Sequence, residues 1–305
     1  MPMNDAFKGH GTFCYQPNEI MRKYKEYPAP GNPGPADRFA QALRDMDMSH
    51  AWVRLFGLEG SMPAADTATL TRALRNAGIH VAGWGYCHGA DTKAELALAK
   101  TECDRHGITA FIADIEPGRR LGGTRSKWGD TEFSEFIDGL VAKFGIDNLG
   151  ISTWPVLKIQ NEPQYPSLAL MRRVADRVAM FAPQAYWMSY PKAVHYNTTG
   201  FKEADYPRDD PTSFVRLVID SWRADNFTRP LVITGQAYWG EGAPQTSILE
   251  AKVARFTSQF ADWSKIVGLN WWHAGGDEAT APAMSPAMID TLRAAQLGSR
   301  PFASA

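Results

Sequence analysis

Residues Phe111–Arg120 read FIADIEPGRR, an apolar run that ends in two acids, Asp114 and Glu116, and is closed by Pro117 and Gly118. Its β-branched and aromatic content, with a turn signal directly behind it, predicts a strand. Alternate side chains of a strand share a face, with Cα atoms roughly 6.6 Å apart. Ala110, Ile112, Asp114 and Glu116 therefore form one row, and Phe111, Ala113 and Ile115 the other. Burying ionised carboxylates without partners is costly, so acids at the last positions of a core strand call for a place where the interior opens to solvent. A closed barrel provides one: Ala110 and Ile112 face the axis and fill the core, and the acids emerge at its mouth.

The rest of the chain repeats the strand signal. GTFCYQ, AWVRLFG, IHVAGWGY, TAFIADIE, NLGISTW, MFAPQAYW, PLVITGQAYW and IVGLNWW make eight runs in order. Helical periodicity fills the intervals, at Asp37–Met46, Asp66–Asn76, Thr92–Arg105, Glu132–Phe144, Leu168–Arg177, Thr212–Ala224 and Ile248–Trp263, with a last helix from Ser285-Pro286 to about Gln296. Asp91 and Asp130 are cap candidates, and Gly78, Gly107 and Gly145 stand where helices close. Eight strands alternating with helices over 305 residues predict one α/β domain, 1–305, a single (β/α)8 TIM barrel, in preference to a doubly wound sheet. YPAPGNPGP, Tyr27–Pro35, reads as the loop after the first strand. Long loops follow the fourth strand, Pro117–Asp130, and the sixth, Met188–Asp210, on the face where barrels of this kind carry their sites.

Composition sets the bounds. With 44% hydrophobic and 21% charged residues the chain has the make-up of a soluble globular protein, and no apolar run is long enough for a membrane span. A net charge of −1 argues against nucleic acid as the partner. The start, MPMNDAFKGHG, lacks the features of a Sec-type signal, so the chain reads as made in the cytoplasm, with lysis or a non-classical route left for any release. Cys14, Cys87 and Cys103 are few and scattered, which predicts reduced thiols. His10, His88 and His273 fall near strand ends without metal-ligand spacing, and Cys87 and His88, as neighbours on a strand, point apart. Neither a metal nor a cofactor is called for, and nothing reads on the oligomeric state.

Two carboxylates at this spacing suit glycoside cleavage, one protonating the departing oxygen and the other steadying positive charge on the sugar. Glu116, further out, is the expected proton donor, and Asp114, deeper, the expected anion. The competing expectation is an ion-pair stitch to Arg54, Arg119 or Arg120. A glycan cleft mixes rings that stack on sugar faces with amides that meet hydroxyls. Candidates stand at the strand ends: Trp84 with Tyr86, Trp154, Gln184, Tyr186 and Trp187, Gln236, Tyr238 and Trp239, and Asn270, Trp271 and Trp272. APQAYW, ending at Trp187, and TGQAYW, ending at Trp239, echo one another on the sixth and seventh strands and suggest similar rim roles. Tyr190, His195, Tyr196, Phe201 and Tyr206 are expected to form a lid, and Arg119, Arg120, Arg125 and Lys127 a basic patch for an anionic polymer.

The fourth-strand ending IADIEPG resembles that of glycoside hydrolase family 25, barrel lysozymes with a catalytic Asp-x-Glu there, and more distantly the chitinase-like family 18. The resemblance implies cleavage of β-1,4 bonds in an N-acetylhexosamine polymer, peptidoglycan first, with Glu116 as acid and Asp114 as stabiliser; the expected mechanism is retaining, with a substrate-assisted route open where the sugar carries an N-acetyl group. The first strand, KGHGTFCYQ, offers His10 and Gln16 where family 25 carries an Asp. That difference keeps a second reading open, a non-catalytic barrel binding glycan or protein in a phage tail or secreted assembly.

Overall fold

The strands close into a ring because the chain alternates one buried strand with one amphipathic helix eight times. The computed structural model describes residues 2–116, 128–159, 167–187, 192–208, 210–238, 248–275 and 284–304. The strands are β1 (Gly9–Cys14), β2 (His50–Gly57), β3 (Gly60–Ser61), β4 (His80–Cys87), β5 (Phe111–Ile115), β6 (Leu149–Thr153), β7 (Met180–Pro183), β8 (Val232–Gln236) and β9 (Gly268–Trp272). All but β3 run parallel in the order β7-β6-β5-β4-β2-β1-β9-β8, and bridges Phe181↔Leu231 and Gln184↔Thr234 join the two ends. The result is a (β/α)8 barrel. β3 hooks back antiparallel onto β2, Phe56 opposite Ser61, and lifts Leu58 and Glu59 onto the rim.

The helices are α1 (Pro17–Tyr24), α2 (Pro35–Asp45), α3 (Ala64–Asn76), α4 (Thr92–His106), α5 (Asp130–Phe144), α6 (Leu168–Val174), α7 (Ala193–Thr199), α8 (Pro211–Ala224), α9 (Ile248–Gln259) and α10 (Pro286–Ala295). No helix among the described residues is long and apolar enough to cross a membrane. Caps fall where residue type dictates. Asp91 accepts from the Ala94 N–H at 3.0 Å, Ser285 accepts from Met288, and Gly107 closes α4 at φ 60°. Asp130 opens α5 as its first residue, with Gly129 in the cap place. Helix α1 was not anticipated, because YPAPGNPGP lies behind it and Pro35 starts α2 at a position where its missing N–H costs nothing. The strand expected to run to Trp187 ends at Pro183, where the N–H groups of Ala185 and Tyr186 turn back to the carbonyls of Pro183 and Gln184.

Apolar side chains fill two shells. Phe13, Trp52, Trp84, Ala110, Ile112, Met180, Ala182 and Val232 pack inside the ring, which Ala6 and Phe7 plug from below, the Ala6 carbonyl accepting from Trp52 Nε1 at 2.7 Å. The larger shell lies between strands and helices. Alternation fails once, and the failure matters. Register against β4 slips between Arg54 and Phe56, so Leu55 and Phe56 both join the outer shell while Arg54 turns to the cleft. Gly85 makes room for that slip, since a Cβ there would stand 2.1 Å from the Phe56 ring.

Candidate active site

The C-terminal ends of the strands surround a cavity of about 410 Å³, into which Asp114 and Glu116 both face. Glu116 stays in the row because its N–H still bonds Cys87 O, at 3.0 Å, one residue beyond the last of β5. Asp114 is 3% exposed and Glu116 is half-buried. Ser152 on β6 stands opposite Asp114 in register. From the end of β7, Gln184 Nε2 donates to Asp114 at 2.9 Å, to Glu116 at 2.6 Å and more weakly to Ser152 Oγ at 3.3 Å. One amide thus ties the two acids together.

Burial, with the Glu116 carboxylate beside it, pushes the Asp114 carboxyl well above the ordinary carboxylate range, against the hydrogen bonds of Ser152 and Gln184 and the charge of Arg54. This direction runs against the expectation that the deeper acid stays ionised. Depth in a low-dielectric barrel penalises charge more than two hydrogen bonds restore it.

Rings line the same cavity. Trp84 and Trp272 meet at 5.5 Å, Tyr15 lies over Trp84 at 6.2 Å, and Tyr186 and Tyr238 meet edge to face at 5.6 Å. Trp154 completes the rim. Of the candidates named from sequence, the cleft brings together Asp114, Glu116, Gln184, Tyr186, Tyr238, Trp84, Tyr86, Trp154 and Trp272.

Four others are placed elsewhere, and one of them, Trp187, is buried in the outer shell, stacked on Phe256. Trp271 takes the outward face of β9, packs on Trp187 and Phe256, and donates to His10 Nε2 at 2.6 Å. Asn270 faces inward but is fully buried below the cleft, opposite Thr234. Gln236 is buried beside its register partner Trp272 and does not reach the cavity wall. Strand one contributes Tyr15, two residues beyond inward-facing Phe13, in place of the expected His10 or Gln16; His10 sits outside the ring, its pKa lowered to about 4 by burial.

The expected lid is a packing unit. His195 meets Phe214 of α8 edge to face, Phe201 stacks on Tyr206, and the Tyr206 hydroxyl donates to Asp220 at 2.8 Å, with none of them on the cavity. Tyr190, Trp239 and the basic patch Arg119, Arg120, Arg125 and Lys127 lie outside the described residues. The proposed stitch through Arg54 goes to another acid, Glu59, at 3.0 Å. Arg54, Glu59 and Leu58 are cleft residues that the sequence reading did not name as binding groups. The signal was available for Arg54, which shares the face of Trp52 by simple alternation.

No family model matches the chain, and no curated protein matches it in sequence. Solved structures with the same fold do. A GH5_18 protein from Bifidobacterium longum subsp. infantis is similar at TM-score 0.64 and 10% identity, over 98% of this chain and 80% of that one. A fungal β-1,4-galactanase is similar at TM-score 0.57 and 12% identity, over 95% and 99%. A GH18 chitinase from Pseudoalteromonas aurantia is similar at TM-score 0.54 and 10% identity, again over 95% and 99%. At such identities the likeness is one of fold, a barrel that these structures share with this chain.

Proposed function

We propose that the protein is a retaining glycoside hydrolase that cuts β-1,4 bonds beside N-acetylhexosamine, with peptidoglycan the first candidate polymer. The observation that carries this reading is the single Gln184 nitrogen at 2.9 Å from Asp114 and 2.6 Å from Glu116, inside an aromatic-walled cleft. The two bonded oxygens can be no farther apart than those two bonds laid end to end. This supports the close spacing of retaining sites, about 5–5.5 Å, over the roughly 6.5–9.5 Å that leaves room for an attacking water. The Asp-x-Glu on the fourth barrel strand and the chitinase among the structural neighbours point the same way.

Carboxylates this close resist double ionisation and hold one proton between them. Burial raises the proton affinity of Asp114, so in this reading the deeper acid holds it before substrate arrives. A sugar stacked on Trp272 expels water from Glu116, raises its proton affinity, and draws the proton outward. Glu116 then gives it to the departing glycosidic oxygen. Asp114 becomes the anion, held by Ser152 and Gln184, and steadies positive charge at the anomeric carbon. Where the sugar carries an acetamido group, its carbonyl oxygen closes on that carbon, Asp114 accepts the amide N–H, and Tyr186 faces the same space.

The test is release of reducing ends from peptidoglycan and chitin oligomers by wild type and by Glu116→Gln. Loss of about 10²–10⁴-fold in rate is expected for the variant, the usual weight of a general acid. Binding by both proteins with cleavage by neither would instead establish the non-catalytic barrel.

A further inference from the structure

Arg54 is a cation inside the cleft, 4% exposed, and its surroundings are built around it. Its guanidinium carbon lies 4.6 Å from the Tyr15 ring centre and 5.6 Å from that of Trp84. Gly57 admits it, since a Cβ there would stand 1.8 Å from Nη2. Glu59 reaches back from the β2–β3 turn to the two terminal nitrogens, at 3.0 Å and 3.3 Å, and Nε has no hydrogen-bond acceptor among the described residues.

The two partners are unlike. Arg54 is fixed by rings and buried, whereas the Glu59 side chain is 54% exposed at the tip of a two-strand turn. A planar guanidinium takes carboxylates bidentately and seats them more firmly in a dry cleft than at an exposed rim. A ligand that fills the cavity covers the Arg54 site and leaves Glu59 free to swing to water. Leu58, 51% exposed beside it on the cleft wall, offers an apolar contact next to the charge.

We propose that Arg54 is the specificity residue of the cleft, receiving a carboxylate carried by the sugar chain, and that Glu59 occupies this place until substrate arrives. This deepens the glycosidase reading and rests on it for the identity of the ligand as a glycan. The shared chemistry is a sugar-borne carboxylate, whether the lactyl ether of a muramic-type sugar, whose methyl would meet Leu58, or a hexuronate.

The experiment is a binding titration read by tryptophan fluorescence, which needs no turnover. Ligands are a peptidoglycan tetrasaccharide with free lactyl carboxylates, its methyl ester, an alternating N-acetylhexosamine–hexuronate oligomer and chitotetraose. Wild type should prefer the free acid to its ester by on the order of tenfold, the weight of a charge-assisted pair. Arg54→Gln should abolish that ratio. Glu59→Gln, at an exposed position that folding tolerates, should widen it by removing the internal competitor. The lactyl and uronate arms decide the source. A ratio near one in wild type, or one unchanged across the three proteins, overturns the proposal. If Arg54→Gln fails to fold, Glu59→Gln decides alone, since an unwidened ratio sinks the idea. Binding with this preference but no cleavage of any glycan would sink the hydrolase and leave the receptor; cleavage without preference would do the reverse.

Discussion

Gln184-Ala185-Tyr186 and Gln236-Ala237-Tyr238 repeat one triplet at the ends of neighbouring strands, yet Gln184 bonds both acids whereas Gln236 is buried beside Trp272. Register explains it. Gln184 pairs with Thr234, so the segments are displaced by two residues along the sheet. β7 also stops at Pro183 and turns, which leaves Gln184 half-buried at the cleft, whereas β8 carries Gln236 to its last position, buried against Trp272. Side-chain identity thus fixes what a residue can do, and the strand end decides what it meets.

The sharpest way to break this contrast is a paired substitution. Gln184→Leu removes the donor that both acids share, and kcat on the cleaved glycan should fall by about 10²-fold or more, as when one preorganised donor is lost from a site of developing charge. With that hydrogen bond gone the pair should titrate higher, so the pH–rate profile moves to higher pH. Gln236→Leu should spare most of the rate and instead lower stability by about 1–3 kcal/mol, measured by denaturant unfolding, because it disturbs buried polar contacts. Equal losses of kcat in both would show that the displacement between the segments has no bearing on chemistry.

The contrast also marks what the sequence could reveal. The barrel was legible because the strand runs and most helices carry their own period, and some helices their caps, all local information. The acid row followed from alternation along a single strand, whereas Tyr186 and Tyr238 reach the cleft from beyond the ends of β7 and β8. Trp271 and Trp272 show the limit, since adjacent rings face opposite shells and composition alone cannot say which is inside. Gln184 and Gln236 differ only by sheet register, a non-local quantity. The slip at Arg54 and Phe56 is likewise set by a glycine on the neighbouring strand, Gly85. The direction of the Asp114 shift was missed because the two acids were ranked by depth without the desolvation cost that depth carries.

Asp114→Asn sharpens that last point through stability. A carboxyl whose folded pKa is raised supports the fold below its unfolded pKa and loses that support as pH rises through the folded value. Asparagine mimics the neutral acid, so the variant should match wild type in acid and melt higher than wild type at neutral and alkaline pH, with activity lost. A variant that melts lower at every pH would show that the charged form is the one the fold prefers.

Glu95 supplies the control that keeps this pH dependence assigned to the cleft. It is buried at the start of α4, accepts from the Gly89 N–H at 3.3 Å, faces His88 Nε2 at 3.3 Å, and is raised by burial from 4.5 to about 7. By the same sign, its neutral form supports the fold fully below pH 4.5, and that support drains as pH climbs through 7. Glu95→Gln should remove this slope, an effect of no more than about 2 kcal/mol across the interval, in unfolding curves taken from pH 4.5 to 8. It should leave the transitions of the pH–rate profile where they were, because Glu95 does not line the cavity. Gln184→Leu should do the opposite, moving the rate profile while leaving the Glu95 slope in place. Should Glu95→Gln displace the rate profile instead, the proton that matters for turnover would lie under the β4–α4 loop and not between Asp114 and Glu116.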